Sequence, residues 1–335
     1  MEALSIPSTI KAIVQSDVNS THLVLTAQPT PIPQPNSDEH LIRVHAAAFC
    51  NGELLWDKNY PSRGNAHKIL IPCDDFAGTV VSAPANSPFV AGSEVYARTS
   101  HVRSGNAREY TIAVTSELAF RPTNISWAES ACVPLSALTA WQALFVHAGL
   151  APPTSVVQSS AAGKRILVLG AAGAVGIWIV QLAKLVGADV VGTAGADSIE
   201  FVKSLGATEV FDYRTVNLKE WAASRKKVDI VIDCFGGNAL RDARWTVRPG
   251  GLLMSIRQPQ MLKPDELDVE VKTLFFIMEP NGAQLQKITN LINVGNFKVK
   301  VDSIWSLDQY SDALERFENG RPKGKVVFGV LATSN

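Results

Sequence analysis

Between Arg165 and Gly195 the sequence runs RILVLGAAGAVGIWIVQLAKLVGADVVGTAG, a pattern that few folds can accommodate. Ile166 to Leu169 is an apolar run of the length of a buried parallel strand. A glycine-rich turn follows, after which Val175, Ile179, Leu182 and Val186 recur at helical spacing and Val190 to Thr193 reads as a second strand. The turn is Ala171-Ala172-Gly173-Ala174-Val175-Gly176, with Gly170 before it and alanine where such turns usually carry their first glycine. Gly173 lets backbone approach a pyrophosphate, Gly176 lets the helix pack close to the strand, and the free amides at the positive end of that helix attract the anion. Ala172, Gly173, Ala174 and Val175 are therefore expected at the pyrophosphate of a dinucleotide. The alternative is a buried strand-helix-strand unit without a ligand. A membrane span conflicts with Gln181, Lys184, Asp189 and the glycines of the run.

The end of the second strand bears on which dinucleotide is bound. A carboxylate there would hold the ribose hydroxyls of NAD, whereas this chain has Gly192-Thr193-Ala194-Gly195 and no acid until Asp197. That small, neutral surface favours NADP, with Thr193 on the cofactor path and Ser198 and Tyr213 offering hydroxyls to a 2'-phosphate. No Arg or Lys stands in the Ala194 to Ser198 turn to pair with that phosphate, so NAD stays open as the competitor.

A chain of 335 residues that is 46% hydrophobic is long and apolar enough for two domains with full cores. Its 31 basic and 31 acidic residues cancel, which speaks against a nucleic acid or a membrane surface as partner. Residues 1 to 10, MEALSIPSTI, have neither a basic segment nor an apolar one of the secretory kind, so a cytoplasmic location is expected. Cys50, Cys73, Cys132 and Cys234 are widely separated and read as thiols; none forms a close metal-ligand pair.

Before the turn, residues 10 to 16 and 22 to 27 alternate as a hairpin and Pro29 to Pro35 breaks the pattern. Leu41 to Ala48, Gly78 to Ser82, Glu94 to Arg98 and Glu109 to Val114 are further short strands, which makes the first 120 or so residues mostly β. Trp127 to Gly149 is helical with a break near Pro134, and 151 to 163 is a surface loop. Beyond the second strand, helices at Ile199 to Leu205, Leu218 to Arg225 and Ala239 to Thr246 alternate with strands at Glu209 to Phe211, Val228 to Cys234 and Gly251 to Ile256. Such alternation predicts a doubly wound parallel sheet, with a last strand at Val271 to Met278 and a helix at Ala283 to Val294. The tail carries a strand at Phe297 to Val301, a helix at Ser306 to Glu318 and a strand at Lys325 to Val330.

The likeness to a known family is spread over the chain. It lies in Cys50-Asn51-Gly52-Glu53, Ile71 to Gly78 (IPCDDFAG), Pro134 to Leu144 (PLSALTAWQAL), the glycine turn, Ser204 to Ala207 with Asp212-Tyr213, Val228 to Gly237 (VDIVIDCFGG), Arg248 to Gly251, Pro280-Asn281-Gly282 and Gly324 to Val327. In these the chain resembles the medium-chain dehydrogenase/reductase superfamily, and within it the zinc-free quinone oxidoreductases, the alkenal and enone reductases and the stand-alone enoyl reductases of fungal polyketide pathways. The resemblance implies an α/β protein with a GroES-like domain over 1–126, completed by 280–335, and a Rossmann domain over 127–279. It places the active site in an interdomain cleft and implies a homodimer.

Zinc members of the family use a cysteine, a His-Glu pair and a further ligand. This chain has Cys73-Asp74-Asp75 at the pair, without a histidine, so no metal is expected. Lacking a Lewis acid, the chain is expected to send a hydride from NADPH to the activated C=C of an enone, enal or quinone, which needs a held nicotinamide, an oriented substrate and enolate stabilisation. Carbonyl reduction, a cofactor-retaining cyclisation on a polyketide-like substrate and a non-catalytic NADPH-binding role are the alternatives. By position, the resemblance puts Asn51 and Thr139 near the nicotinamide and Phe235, Gly236, Ser255, Ile256 and Lys325 along the rest of the cofactor path. A small hydrophobic substrate would meet Trp56, Tyr60, Leu135, Trp141, Phe275, Phe276 and Met278, each aromatic having core packing as its alternative. Tyr60 is the candidate proton donor and Thr139 the other residue assigned to catalysis. Asp74 and Asp75 are expected to be structural, and His45, His67 and His101 to be strand or surface residues.

Overall fold

The structure, a computed structural model, describes residues 6–60, 68–153, 160–257, 270–295 and 297–331; His67 and positions 154–159 of the expected loop lie outside them. The chain divides into two compact units. The first comprises Met1–Leu135, Glu279–Asn293 and Val299–Asn335, the second Ser136–Met278 and Val294–Lys298. The division thus falls later than residue 126, and a short piece of the tail belongs with the second unit.

In the first unit β1 (Thr9–Gln15) pairs antiparallel with β2 (Leu23–Pro29). β3 (Glu39–Ala48) runs into a turn and the single helical turn α1 (Trp56–Asn59), followed by β4 (Asp75–Ser82), β5 (Glu94–Arg98), β6 (Tyr110–Val114) and the short β7 (Ala119–Phe120). The helical stretch that follows is interrupted as its proline predicts: α2 (Trp127–Cys132) ends before Pro134, which begins α3 (Pro134–Trp141). Ser126 and Glu129 close the start of α2 by capping each other's backbone.

The second unit is built from β8 (Arg165–Leu169), α4 (Gly176–Leu185), β9 (Asp189–Ala194), α5 (Ile199–Ser204), β10 (Glu209–Asp212), α6 (Leu218–Ser224), β11 (Val228–Asp233), α7 (Asn238–Ala243), β12 (Val247–Ser255) and β13 (Lys272–Phe275). All pairs in its sheet are parallel, in the order β10-β9-β8-β11-β12-β13. That order reverses direction at β8 and is the doubly wound dinucleotide arrangement. Leu167, Leu169, Val191, Val231 and Leu253 fill one face with Trp221 and Leu240 from the covering helices.

The tail adds α8 (Gly282–Val294), β14 (Val301–Trp305), α9 (Tyr310–Glu318) and β15 (Lys325–Gly329). β15 inserts between β14 and β3, so the first unit's sheet runs β14-β15-β3-β4-β5-β7 with β6 also on β3. Phe49, Phe76 and Phe328 are buried in its core. The expected strand at Phe297 to Val301 is displaced onto Val301–Trp305. The reason is local: the Gln181 amide accepts from the Lys298 N–H (2.7 Å) and donates to its carbonyl (3.2 Å), while Phe297 stacks on Trp178. Backbone groups held by a side chain are not available to a ladder.

Candidate functional site

The glycine turn of the second unit is shaped by close contacts that leave no room for side chains. At Gly170 φ is 78°, in the left-handed region, and its N–H donates to Thr193 Oγ1 (3.2 Å). The left-handed residue therefore sits one place before Ala171, which explains why alanine serves where glycine is usual. A Cβ on Gly176 would lie 2.2 Å from the Gly170 carbonyl oxygen, and one on Gly192 would lie 2.8 Å from the Ala171 Cβ. Ala171 is fully buried and fits because β9 is bare opposite it. Ala172 and Val175 are half-buried, and Gly173 and Ala174 are exposed at the start of α4.

At the end of β9, Thr193 is buried, Ser198 half-buried, and no acid follows before the exposed Asp197. The basic group missing from this turn comes from elsewhere. Arg214, after β10, brings Nη2 to 3.3 Å from where a Gly195 Cβ would stand. Asp212 Oδ1 orients it by accepting from both the Arg214 N–H (3.0 Å) and its Nε (3.1 Å), and the guanidinium lies 5.4 Å from the centre of the Tyr213 ring. Tyr213 and Phe235 are 56% and 67% exposed with their rings stacked, centroids 6.3 Å apart. Sequence reasoning passed over Arg214 although it adjoins Tyr213; a search confined to the turn cannot see a residue from the next strand.

Asp233 was missed as well. Fully buried, it accepts the N–H groups of Phe235 (2.9 Å) and Gly236 (2.8 Å) and the Ser255 hydroxyl (2.7 Å). It fixes the loop that carries both, and the Ser255 hydroxyl is directed at Asp233. Ile256 is half-buried and donates its N–H to the Asp233 carbonyl (3.0 Å). Among the apolar candidates, Trp141 packs on Phe145 at 3% exposure, Phe276 packs on His147, Met278 is buried and Phe275 is half-buried. Thr139 is 5% exposed on α3.

In the first unit, β3 delivers Cys50 and the exposed Asn51 into a turn at Gly52, beyond which Trp56 is half-buried and Tyr60 is 39% exposed. The conspicuous feature here is a buried ionic cluster. Lys325, at the start of β15, gives its ammonium to Asp75 Oδ2 and to Cys50 Sγ (3.2 Å). The Cys50 thiol in turn faces Asp75 Oδ2 at 3.5 Å, and Asp75 Oδ1 accepts the Leu135 N–H (2.9 Å). Asp75 and Lys325 are 0% and 5% exposed. Lys325, expected along the cofactor path, is thus drawn inward to a carboxylate. Beside it, Cys73 holds a left-handed φ of 67°, and Asn106 secures that turn by donating to the Cys73 (2.8 Å) and Asp74 (2.9 Å) carbonyls. Glu53 Oε1 accepts the Cys73 N–H (3.0 Å), and Asp74 pairs with Arg98 (3.3 Å).

These surroundings move the ionisations. Burial, reinforced by Asp75, pushes the Cys50 thiol well up. Burial raises Glu53 to about 8 with help from Asp74, and raises Asp74 to about 6 against the pull of Arg98. Burial would lower the Lys325 ammonium, yet the Asp75 carboxylate outweighs it and holds it above its ordinary range. His45 is held down to about 4 by burial; it stacks on Trp127 and meets Thr79 Oγ1 at 3.0 Å, a packed strand residue as expected.

Comparison with known proteins places the two units in one family. Residues 36–142 match the alcohol dehydrogenase GroES-like domain and residues 205–328 the zinc-binding dehydrogenase domain. The chain is 48% identical over 334 residues to a probable zinc-binding oxidoreductase, mitochondrial, of Arthroderma benhamiae, covering 98% of each chain. It is 33% identical over 310 residues to a chloroplast envelope quinone oxidoreductase homolog of Arabidopsis thaliana, covering 89% of this chain and 91% of that one. A solved quinone oxidoreductase from Coxiella burnetii superposes with a TM-score of 0.78 at 25% identity over 96% of this chain and all of that one. The mitochondrial and chloroplast names overturn the cytoplasmic expectation: the lack of a secretory pattern speaks only to the secretory route.

The zinc in two of these names can be tested on the donors present. Three His, Cys, Asp or Glu side chains placed to share an ion are not found among the described residues. The cysteine and carboxylate nearest the expected position already share an ammonium, and the neighbouring Asp74 and Glu53 are engaged by Arg98 and by the Cys73 N–H. The donor set does not fit a zinc ion.

Proposed function

The chain belongs to the medium-chain dehydrogenase/reductase superfamily, and from that premise we propose that it is an NADPH-dependent reductase of activated C=C bonds in enones, enals or quinones, working without a metal. The observation that carries the cofactor half of the proposal is Arg214, braced by Asp212 beside Gly195 at a strand end without a carboxylate. A guanidinium aimed there pairs with a 2'-phosphate and gains nothing from a free ribose hydroxyl. The substrate half is supported by relatives named NADPH-dependent alkenal/one oxidoreductase, chloroplastic, from Arabidopsis thaliana and 2-methylene-furan-3-one reductase from Solanum lycopersicum, each 30% identical.

When bound, the cofactor supplies the hydride. The amides at the start of α4, from Gly173 onward, would hold the pyrophosphate, with Thr193, Ser198 and Tyr213 toward the adenosine and Phe235, Gly236 and Ile256 along its path. The family resemblance would assign Asn51 of the first unit and Thr139 of the second to the nicotinamide, and Trp56 and Leu135 of the first and Phe275 of the second to the apolar substrate. Tyr60 gives the proton that completes reduction at the α-carbon. A homodimer joined at the edge strand β13 and an organellar location belong to the same reading.

The test is oxidation of NADPH and NADH with 2-alkenals, enones, quinones and saturated ketones, with a chelator control and product masses. Chelator-insensitive turnover to a product two hydrogens heavier with its carbonyl intact is expected; reduction of ketones alone would overturn the proposal. Arg214→Ala should raise the KM for NADPH by about 10- to 100-fold, the worth of one charged hydrogen bond, and leave NADH untouched.

A further inference from the structure

The geometry around Cys50 points beyond a missing histidine. We infer that the Lys325 ammonium is a built-in cation that stands where a metal ion would bridge Cys50 and Asp75, and that it closes this pair to zinc. The inference deepens the metal-free part of the proposed function and rests on it in that respect only.

Cys50 Sγ and Asp75 Oδ2 are 3.5 Å apart. Two ligands of one tetrahedral zinc, at about 2.3 Å for sulfur and about 2.1 Å for oxygen, stand roughly 3.6 Å apart, so the pair already has the spacing of one edge of a zinc site. The Lys325 ammonium bridges that edge, in contact with the carboxylate and 3.2 Å from the sulfur. It neutralises Asp75 as a metal would. Unlike a metal, it donates a hydrogen bond to the sulfur, whose own S–H is directed at Asp75 Oδ2.

A divalent ion entering here would have to expel the ammonium into a buried setting or share the space with it. Each choice is opposed. Lys325 is 5% exposed and has no second carboxylate in hydrogen bond with it among the described residues, and two cations at contact distance repel strongly away from water. The remaining acids of the cluster offer little relief: Asp74 faces Arg98, and Glu53 gives Oε1 to the Cys73 N–H, which leaves only its Oε2 without a hydrogen-bond partner. The Cys50–Asp75 pair thus has the spacing of a zinc edge, with lysine as its ion.

Cobalt(II) titration of the purified full chain decides the matter, read by thiolate-to-cobalt absorption and by metal content. Wild type is expected to give no such absorption and only trace metal. Lys325→Met uncovers only the two-ligand edge, so with water completing the coordination it should gain a weak, low-affinity form of the absorption, and adding Cys50→Ser should remove it. Lys325→Arg keeps a cation and should stay closed. Stoichiometric metal in wild type that is lost with Cys50→Ser overturns the inference. So does uptake by the arginine variant, or a Lys325→Met protein that is folded by circular dichroism and takes up none. If the methionine variant does not fold, the wild-type and arginine titrations still decide. NADPH turnover on the same preparations separates the two proposals: a protein closed to cobalt that reduces no alkene breaks the proposed function and leaves Lys325 as the resident cation.

Discussion

The glycine turn of the second unit and the ionic cluster of the first are both built for charge, and they are built in opposite ways. On the proposed function, the turn receives an anion with backbone alone: a left-handed Gly170, a bare Gly176 and the amides opening α4, all within seven consecutive positions from Gly170 to Gly176. The cluster contains its own charges, with partners 25 and 250 residues apart in sequence. A site made from backbone must leave glycine in fixed register, because only missing Cβ atoms permit the approach. A site made from side chains needs only that the fold bring them together, and any local sequence will serve.

The contrast breaks most readily at Lys325. Replacing it with methionine leaves the Asp75 carboxylate buried without its cation, and such one-sided removals cost about 3–5 kcal/mol. The expected loss is read from the urea midpoint. Adding Asp75→Asn should restore most of it, since the amide oxygen can still accept the Leu135 N–H and no charge is left stranded. A single-variant loss below about 1 kcal/mol would mean that the cluster is a solvated surface pair, and the comparison would fail.

Gly176→Ala tests the other side. The new Cβ would press on the Gly170 carbonyl oxygen and the Ala171 Cα, both backbone, so the turn itself must move. Overpacking of this kind costs about 1–3 kcal/mol, and here it should appear as a weakening of NADPH binding by about 10- to 100-fold in a fluorescence titration. Unchanged binding would show that the turn is not the anion site.

These two sites also show what could be read beforehand. The turn, the order of strands and helices around it and the hairpin at the start follow from periodicity, because each is a local pattern. Arg214 escaped because it reaches Gly195 from a neighbouring strand end, and Asp233 because it ties its own loop at Phe235 and Gly236 to Ser255 of the next strand. Lys325 was marked as functional from its motif, yet nothing within Gly324 to Val327 says that its ammonium turns toward Asp75 rather than a cofactor. The strand at Val301–Trp305 escaped for a similar reason: Gln181, remote in sequence, holds the backbone of Lys298 out of the ladder.

The cluster should also make stability depend on pH in a direction opposite to that of ordinary ion-paired carboxylates. Glu53 rises from 4.5 to about 8 on folding, first through burial. Between those values the folded chain keeps a proton that the unfolded chain has released. The stabilisation is therefore complete below about 4.5 and is lost as pH climbs toward about 8, at up to about 1.4 kcal/mol per pH unit. Asp74, raised to about 6, adds the same sign over the lower part of the window. Glu53→Gln keeps an acceptor for the Cys73 N–H and removes the titration. Urea midpoints from about pH 5 to about pH 8 should fall less steeply in the variant than in wild type. Parallel slopes would show that Glu53 stays ionised in the folded chain.

The smallest expected effect separates the geometry of the turn from its usual sequence. If the first position of such turns required glycine for conformational freedom, Ala171→Gly would improve the site. Here the left-handed residue is Gly170, and the Ala171 methyl fills the space that Gly192 leaves open. Glycine at 171 would lose that buried methyl and loosen the unfolded chain. The variant should lose about 0.5–1 kcal/mol of stability and bind NADPH no more tightly. Tighter binding by Ala171→Gly would place the strained residue at 171, and the anion site would then depend on a glycine this chain lacks. A small stability loss with unchanged binding would assign the turn's freedom to Gly170 and its packing to Ala171, two duties that a single glycine usually combines.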